Sequence, residues 1–284
     1  MMPNMRFPDP NKSRNSYIFK KNYFRKKKIK KKILEYNNNL EGWSEQLTLL
    51  HEQTSAKYHP IEMLSRYNLI NNLKIKTKQT ILEIGCSSGW LLDDLLKKFK
   101  KINYIGSDVI INPLRKLAKK YPNIPFVRFD ILRNPLKKLK FNCVVMLNVL
   151  EHIENDTLAV QQVYKLLKKN GKFLIEVPAN QFLYDNYDKQ LKHFRRYRMS
   201  DLIKMLKNNG FKIEKKQHIG FFVFFPFLLF KFFNKIFNKN NKIVKKQIVA
   251  SNNFIFRSLI TIEKKLSNIY FPFGIRCFVI ARKA

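Results

Sequence analysis

The sequence predicts an α/β fold: a doubly wound, mostly parallel seven-stranded sheet with an inserted helical and apolar segment before the last strand. Three observations predict it. From residue 80 onward, apolar runs of strand length alternate with segments of helical periodicity, the pattern of a parallel sheet wrapped by helices on both faces. The helical segments carry legible starts and stops. The alternation then breaks after residue 220 and resumes only in the closing run "GIRCFVIARKA" (274–284).

The strands are expected at 80–84 (TILEI), 102–106 (INYIG), 125–129 (PFVRF), 142–147 (NCVVML) and 172–177 (KFLIEV), with a sixth near 211–217 and the last in 274–284. Between the first two, Leu92, Leu95, Leu96 and Phe99 follow the spacing of one buried helical face. In the next helix Asn112 is placed to cap and Pro113 suits the first helical position, with Leu114, Leu117, Ala118 and Tyr121 facing inward. A third helix opens near Asp156, buries Val160, Val163, Tyr164 and Leu167, and is expected to end at Gly171. A fourth runs from Ser200 to Gly210.

The chain of 284 residues is 45% hydrophobic, ample for one large core with insertions. Its formal charge of +36 is extreme, yet residues 1–40 supply only +10 of it, from twelve Lys/Arg against Asp9 and Glu35. The excess is therefore spread along the whole chain. Solvated lysine faces account for it, or attraction to a polyanion, either an anionic membrane surface or nucleic acid. Composition divides the chain into a basic tail (1–40), a core with N-terminal helices (41–220), an apolar and basic insertion (221–270) and a final core strand (271–284). The run "RKKKIKKK" (25–32) reads as a solvated tail or an electrostatic tether. Cys86, Cys143 and Cys277 are scattered, with no CxxC pair, which points to a reducing compartment. The N-terminus has no apolar signal core, so a cytoplasmic protein is expected. The five histidines show neither metal spacing nor HExxH, and no metal is predicted.

The stretch "LEIGCSSGW" (82–90) sits where a strand's carboxyl end meets a helix, the position at which parallel sheets bind ligands. A dinucleotide loop needs glycines where Ser87 and Trp90 stand, which disfavours a pyrophosphate cofactor. No GxxxxGKS/T exists for a nucleoside triphosphate. A nucleoside cofactor without phosphates remains. Asp108 ends the second strand 23 residues after Gly85, placed for ribose hydroxyls, and Asp130 ends the third, where an adenine amino group could be met.

Here the sequence resembles the class I S-adenosylmethionine-dependent methyltransferases, and its later run "DKQLKHFRRYR" (188–198) looks like the bacterial type-11 and type-12 enzymes among them. "LEIGCSSG" resembles their first motif, "GSD" their ribose acid, "RFDIL" their adenine strand and "LNVLEHI" (147–153) their fourth motif. The resemblance covers about 80–220 and resumes at the final strand. It implies a Rossmann-like fold and S-adenosyl-L-methionine as cofactor. It implies that Glu83 and Gly85 line the methionine side, in a loop completed by Cys86, Ser87 and Gly89. Asp108 would hold the ribose, Asp130 and Ile131 would border the adenine, and Asn148 would lie beside the sulfonium. Ser87 departs from the glycine common in the family and is tolerable only at negative φ.

The fourth motif continues Asn148-Val149-Leu150-Glu151, unlike the Asn/Asp-Pro-Pro-aromatic pattern of enzymes that methylate base amines. The segment "VPANQFLYDNYDKQLKHFRRYRMSDL" (177–202) follows the fifth strand and should overhang the pocket. His193 is the candidate base, since its ordinary pKa lies near working pH, and His152 is a second. Arg195 and Arg196, beside Tyr197, could clamp a carboxylate or phosphate on the acceptor, or pair with Asp185 or Asp188 to fix the loop. In the insertion, "FFVFFPFLLFKFF" (221–233) is apolar for ten residues before Lys231, half of a bilayer span. No acidic residue falls between Glu214 and Glu263. That combination suits a lid, an interfacial element on anionic lipid, or both. The expected activity is methyl transfer to oxygen of a small-molecule, glycan or lipid-linked acceptor, in the cytoplasm or peripherally at the inner membrane face. The rivals are an RNA methyltransferase and a non-catalytic basic protein binding nucleic acid or membrane.

Overall fold

Residues expected as a charged tail turn out to be strands. The computed structural model describes residues 5–13, 15–36, 46–47, 57–73, 79–99, 101–237 and 254–284. Strands β1 (Arg6–Phe7), β2 (Tyr17–Lys20), β3 (Tyr23–Lys26) and β4 (Ile29–Lys31) form a small antiparallel sheet. The physical reason is that aromatic side chains are interleaved among the lysines. Phe7, Tyr17 and Phe24 turn inward and are buried in the main core cluster, each stabilising the sheet by roughly 1.5–3 kcal/mol. Most of the lysines stay on the wet side. The run "RKKKIKKK" is the β3–β4 hairpin, and Lys26 pairs with Asp9.

The next strand, β5 (Ile33–Glu35), joins the central sheet, pairing in parallel with β8 (Phe126–Arg128). The seven strands expected from sequence are all present, and β5 makes eight. Besides β8 they are β6 (Thr80–Ile84), β7 (Asn103–Asp108), β9 (Phe141–Leu147), β10 (Leu167–Pro178), β11 (Phe211–Ile219) and β12 (Arg276–Lys283). Their spatial order is β11-β12-β10-β9-β6-β7-β8-β5. Only β12 runs against its neighbours, wedged antiparallel between β10 and β11. β6 and β7 are buried at every position, as strands covered by helices on both faces must be. Strand order reverses between β6 and β9, and the carboxyl ends there open onto the site.

The flanking helices are α1 (Pro60–Asn72), α2 (Trp90–Lys98), α3 (Ile111–Lys120), α4 (Asp156–Leu166), α5 (Asn186–Gln190) and α6 (Met199–Asn208). In α2 the buried face is Leu91, Leu92 and Leu95, while Leu96 turns to solvent. α3 begins one residue before Asn112, because the Asp108 carboxylate holds the Ile110 N–H and sets the helix start. Asn155 caps α4 through Leu158 N–H. That helix stops at Leu166, well short of Gly171, which lies in β10 instead. A Cβ on Gly171 would stand 2.9 Å from the Lys168 carbonyl and 3.1 Å from that of Phe141, so close backbone approach and not a helix end demands glycine here.

Of the insertion, residues 238–253 lie outside the described residues. Around them are α7 (Phe224–Phe237) and α8 (Phe254–Lys265). Val223 and Phe224 are buried against the core, whereas Phe225, Leu229, Phe232 and Phe254 are exposed. Among the described residues, no helix is long and apolar enough to cross a membrane.

Candidate functional site

The carboxyl ends of the central strands enclose a cavity of about 530 Å3, inside the roughly 300–1,000 Å3 range of small-molecule sites. Val109, Phe129, Ile131 and Leu132 give it apolar walls, and Glu83, Asp108 and Asp130 bring carboxyl groups to its lining. Gly85, Cys86, Ser87 and Asn148 line it as well. Of the nine residues assigned to the cofactor from sequence, only Gly89 is off the lining; it precedes α2 and accepts the Asp93 N–H as the helix begins.

The loop after β6 is held by its neighbours. Gly85 and Cys86 donate N–H groups to the Ser107 carbonyl at 2.8 and 2.9 Å. Gly85 has φ +77°, and a Cβ there would lie 2.4 Å from Val149 Cγ2, so the loop can pass the fourth-motif segment only as glycine. Asp108 spans the site: Oδ2 accepts Ser87 N–H at 2.9 Å and Oδ1 accepts Ile110 N–H at 3.0 Å. Ser87 itself sits at φ +39°, against the negative value expected of a serine there. The Asp108 hydrogen bond to its own amide is what holds it in that strained region. Asn148 is also left-handed, at φ +52°, which a short polar side chain tolerates. Asp130 accepts Leu132 N–H at 2.9 Å and caps the turn that presents Ile131. Beneath the loop Glu83 is buried and accepts the Tyr104 hydroxyl; burial, the dominant cause, pushes its carboxyl up to about 8.

Beyond Asn148 the lining passes to His152, Ile153, Glu154 and Phe194. His193 is not on the lining but directly behind it, its ring centroid 4.5 Å from that of His152. Asp188, fully buried, lies 2.8 Å from His193 Nδ1 and accepts Arg196 Nε–H at the same distance. Arg195 is turned away, paired with Asp156 at 2.7 Å and donating to the Glu154 carbonyl. The Tyr197 hydroxyl donates to Asp156 Oδ2 at 3.0 Å. So Arg195, Arg196 and Tyr197 fix the loop and do not face the cavity. The alternative reading is met in part: buried Asp188 claims Arg196, while Arg195 pairs with half-buried Asp156 and Asp185 caps α5.

Among the lining residues that the sequence did not single out are two charged ones from α1, Glu62 and Arg66. Arg66 is held by Asp94 at 2.7 Å and by the Lys57 carbonyl. Glu62 pairs with Arg276, which also binds Glu176 at 2.7 Å. The four-residue spacing of Glu62 and Arg66 on one helix face was the available signal.

This donor set fits a nucleoside with a cationic amino-acid tail. The apolar walls suit a planar base, and the carboxyl groups suit hydroxyl and ammonium donors. A pyrophosphate would meet the Asp108 charge where it needs loop amides, and Ser87 N–H is already taken by that carboxylate. A family model described as a methyltransferase domain matches residues 56–216. No curated protein matches the chain in sequence. Among solved structures, Haemonchus contortus phosphoethanolamine N-methyltransferase 2 in complex with S-adenosyl-L-methionine is 16% identical at a TM-score of 0.55, over 86% of this chain and 58% of that one. The N-methyltransferase NodS from Bradyrhizobium japonicum, with S-adenosyl-L-homocysteine, is 14% identical at a TM-score of 0.50, over 84% and 99%. The 4+2 cyclase SpnF is 13% identical at a TM-score of 0.55, over 86% and 97%. At such identities these likenesses speak for the fold, and the family match carries the rest. The chain belongs to the methyltransferase domain family: it is a class I S-adenosylmethionine-dependent methyltransferase.

Proposed function

We propose that this methyltransferase modifies an oxygen of a small-molecule, glycan or lipid-linked acceptor. The observation that carries the reading is the pair of histidines beyond Asn148, with His152 on the cavity and His193 oriented by buried Asp188. An oxygen acceptor needs a proton acceptor beside it; His152 is the imidazole on the cavity, and His193, held by Asp188, stands against its ring from behind. When bound, the cofactor supplies an electrophilic methyl group on a sulfonium. In this reading Asp108 holds the ribose hydroxyls, Asp130 and Ile131 border the adenine, and Glu83, Gly85, Cys86 and Ser87 surround the amino-acid end. Gly89 acts only by starting α2. Asn148 and Val149 mark the passage to the acceptor side. The enzyme's own part is alignment and exclusion of water.

Several exposed apolar side chains support a lipid-linked acceptor. Phe225, Leu229, Phe232 and Phe254 face solvent in a region without acidic residues from 215 to 262. Apolar side chains among positive charge suit an anionic lipid surface. None of the described residues of 221–270 lines the cavity, so support for the lid reading is weaker. The charge of +36 favours one second reading, an RNA acceptor.

Labelled S-adenosylmethionine offered with pools of glycan, lipid extract, small amines and RNA separates these outcomes. Label in lipid or glycan hydroxyls, lost in His193→Ala with S-adenosylhomocysteine affinity retained, is the expected result. Label in amines or RNA overturns the oxygen reading. For the membrane, sedimentation with anionic but not neutral vesicles is expected, reduced in Phe225→Ser/Phe232→Ser.

A further inference from the structure

Glu151 is buried, 1% exposed, and neither of its carboxyl oxygens is hydrogen-bonded by another residue. An unsatisfied buried acceptor costs about 1–3 kcal/mol, so a native protein keeps one where something else completes it. Glu151, His152 and His193 each offer one ligand atom, and all of these lie within 4.8 Å of one another. His193 has its Nδ1 against Asp188 at 2.8 Å. That arrangement fixes the tautomer of metal-ligating histidines and gives Nε2 to the ion. Asp188 is held in turn by Arg196 Nε–H at 2.8 Å and Asp185 N–H at 3.0 Å, so the supporting carboxylate is built in. His152 reaches the cavity lining, which puts the cluster at its acceptor end.

We propose that Glu151, His152 and His193 bind a divalent transition-metal ion of the zinc class, with an open coordination position toward the cavity. Two imidazoles and one carboxylate are the donor set of open, catalytic zinc sites. Metal–nitrogen distances of about 2.0–2.1 Å require the donors to close to roughly 3.3 Å of one another. The sequence hides this site, because His193 stands 41 residues after His152 and only the loop after β10 brings them together. What the ion would do rests on the oxygen-acceptor reading; the site itself does not. Held by Glu151, His152 and His193, the ion would supply Lewis acidity: it would lower the pKa of a hydroxyl at the open position, whose proton would pass to solvent. The two histidines would then act on the acceptor through the ion, in place of the direct proton acceptance proposed above.

The test is a titration of the full chain, freed of metal with a chelator, with Zn2+ against a chromophoric competitor and with Co2+ as a spectroscopic probe. We expect about one equivalent bound and the ligand-field bands of four- or five-coordinate Co2+. Glu151→Gln and His152→Ala should each weaken binding at least tenfold, while His218→Gln, whose ring lies elsewhere against the Phe271 carbonyl, should not. No saturable binding by the wild type, or binding unchanged in both variants, overturns the proposal. S-adenosylhomocysteine affinity, measured on every variant, shows that each one is folded. Zinc binding without S-adenosylhomocysteine binding breaks the cofactor assignment and leaves the metal site; the reverse result does the opposite.

Discussion

The two ends of the cavity are built on different principles. The end proposed for the cofactor is made from strand ends and the turns that follow them. Its key side chains, Asp108 and Asp130, are engaged with backbone N–H groups within 21 residues of their own positions. The end proposed for the acceptor is made from side chains engaged with other side chains: Asp188 with His193 and Arg196, and Asp156 with Arg195 and Tyr197. Backbone anchoring yields a rigid cradle for a ligand shared across a fold. Side-chain networks yield a surface that can be rebuilt for one acceptor without disturbing the sheet.

The sharpest way to break this comparison is Asp188→Asn. The carboxylate is fully buried and serves Arg196, His193 and the Asp185 amide at once. Neutralising it leaves Arg196 buried without its counter-charge, a loss of about 3–5 kcal/mol in stability. Urea unfolding should show this, while surviving folded protein keeps near-normal S-adenosylhomocysteine affinity. A large drop in cofactor affinity would mean that the two ends are one network.

Asp108→Ala is the converse experiment. Cofactor affinity should fall by roughly 1.5–3 kcal/mol, the scale of hydrogen bonds to a charged group, when titrated calorimetrically with S-adenosylhomocysteine. The acceptor-side network should not change. Unchanged affinity would remove the ribose assignment.

What the sequence revealed follows the same line. Strands buried on both faces, and turns that need glycine or a carboxylate, leave local signatures; thus 80–84, Gly85, Asp108 and Asp130 were legible. The acceptor end depends on which remote side chains meet. Arg195, Arg196 and Tyr197 carry the residue types of a clamp, yet their partners at Asp156 and Asp188 are set by tertiary packing. Glu62 and Arg66 reach the cavity from a helix that carries no motif. The N-terminal strands were missed for another reason: lysines dominate the count in 25–32, but three inward aromatics in 7–24 decide the structure.

A third prediction concerns pH and Glu83. Burial raises its carboxyl from the ordinary 4.5 to about 8 in the folded chain. A raised folded value means that the stabilisation is complete below 4.5 and is lost as pH rises through 8. Glu83→Gln keeps a neutral group against Tyr104 at every pH. The stability of the wild type relative to Glu83→Gln should therefore fall steadily between about pH 5 and about pH 9. Glu151 and Glu263 are raised by burial in both proteins and cancel in the difference. A flat difference would show that Glu83 titrates normally and that the cofactor end is wetter than its packing indicates.

The smallest effect tests where the strain of the loop resides. Ser87 at φ +39° bears a left-handed cost of about 1–2 kcal/mol for a residue with a Cβ. Glycine removes that cost but adds freedom to the unfolded chain worth about 0.4–1 kcal/mol. Ser87→Gly should therefore be more stable by up to about 1.5 kcal/mol, a small rise in Tm. The Asp108 bond is made to the Ser87 backbone N–H and survives the substitution. Cofactor affinity should then stay within twofold, because the carboxylate and the amide, not the hydroxyl, shape the cradle. A tenfold loss would make the hydroxyl itself a ligand contact. It would also mean that the departure from glycine at this position is a specificity feature, added to a cofactor end that otherwise recognises through its backbone.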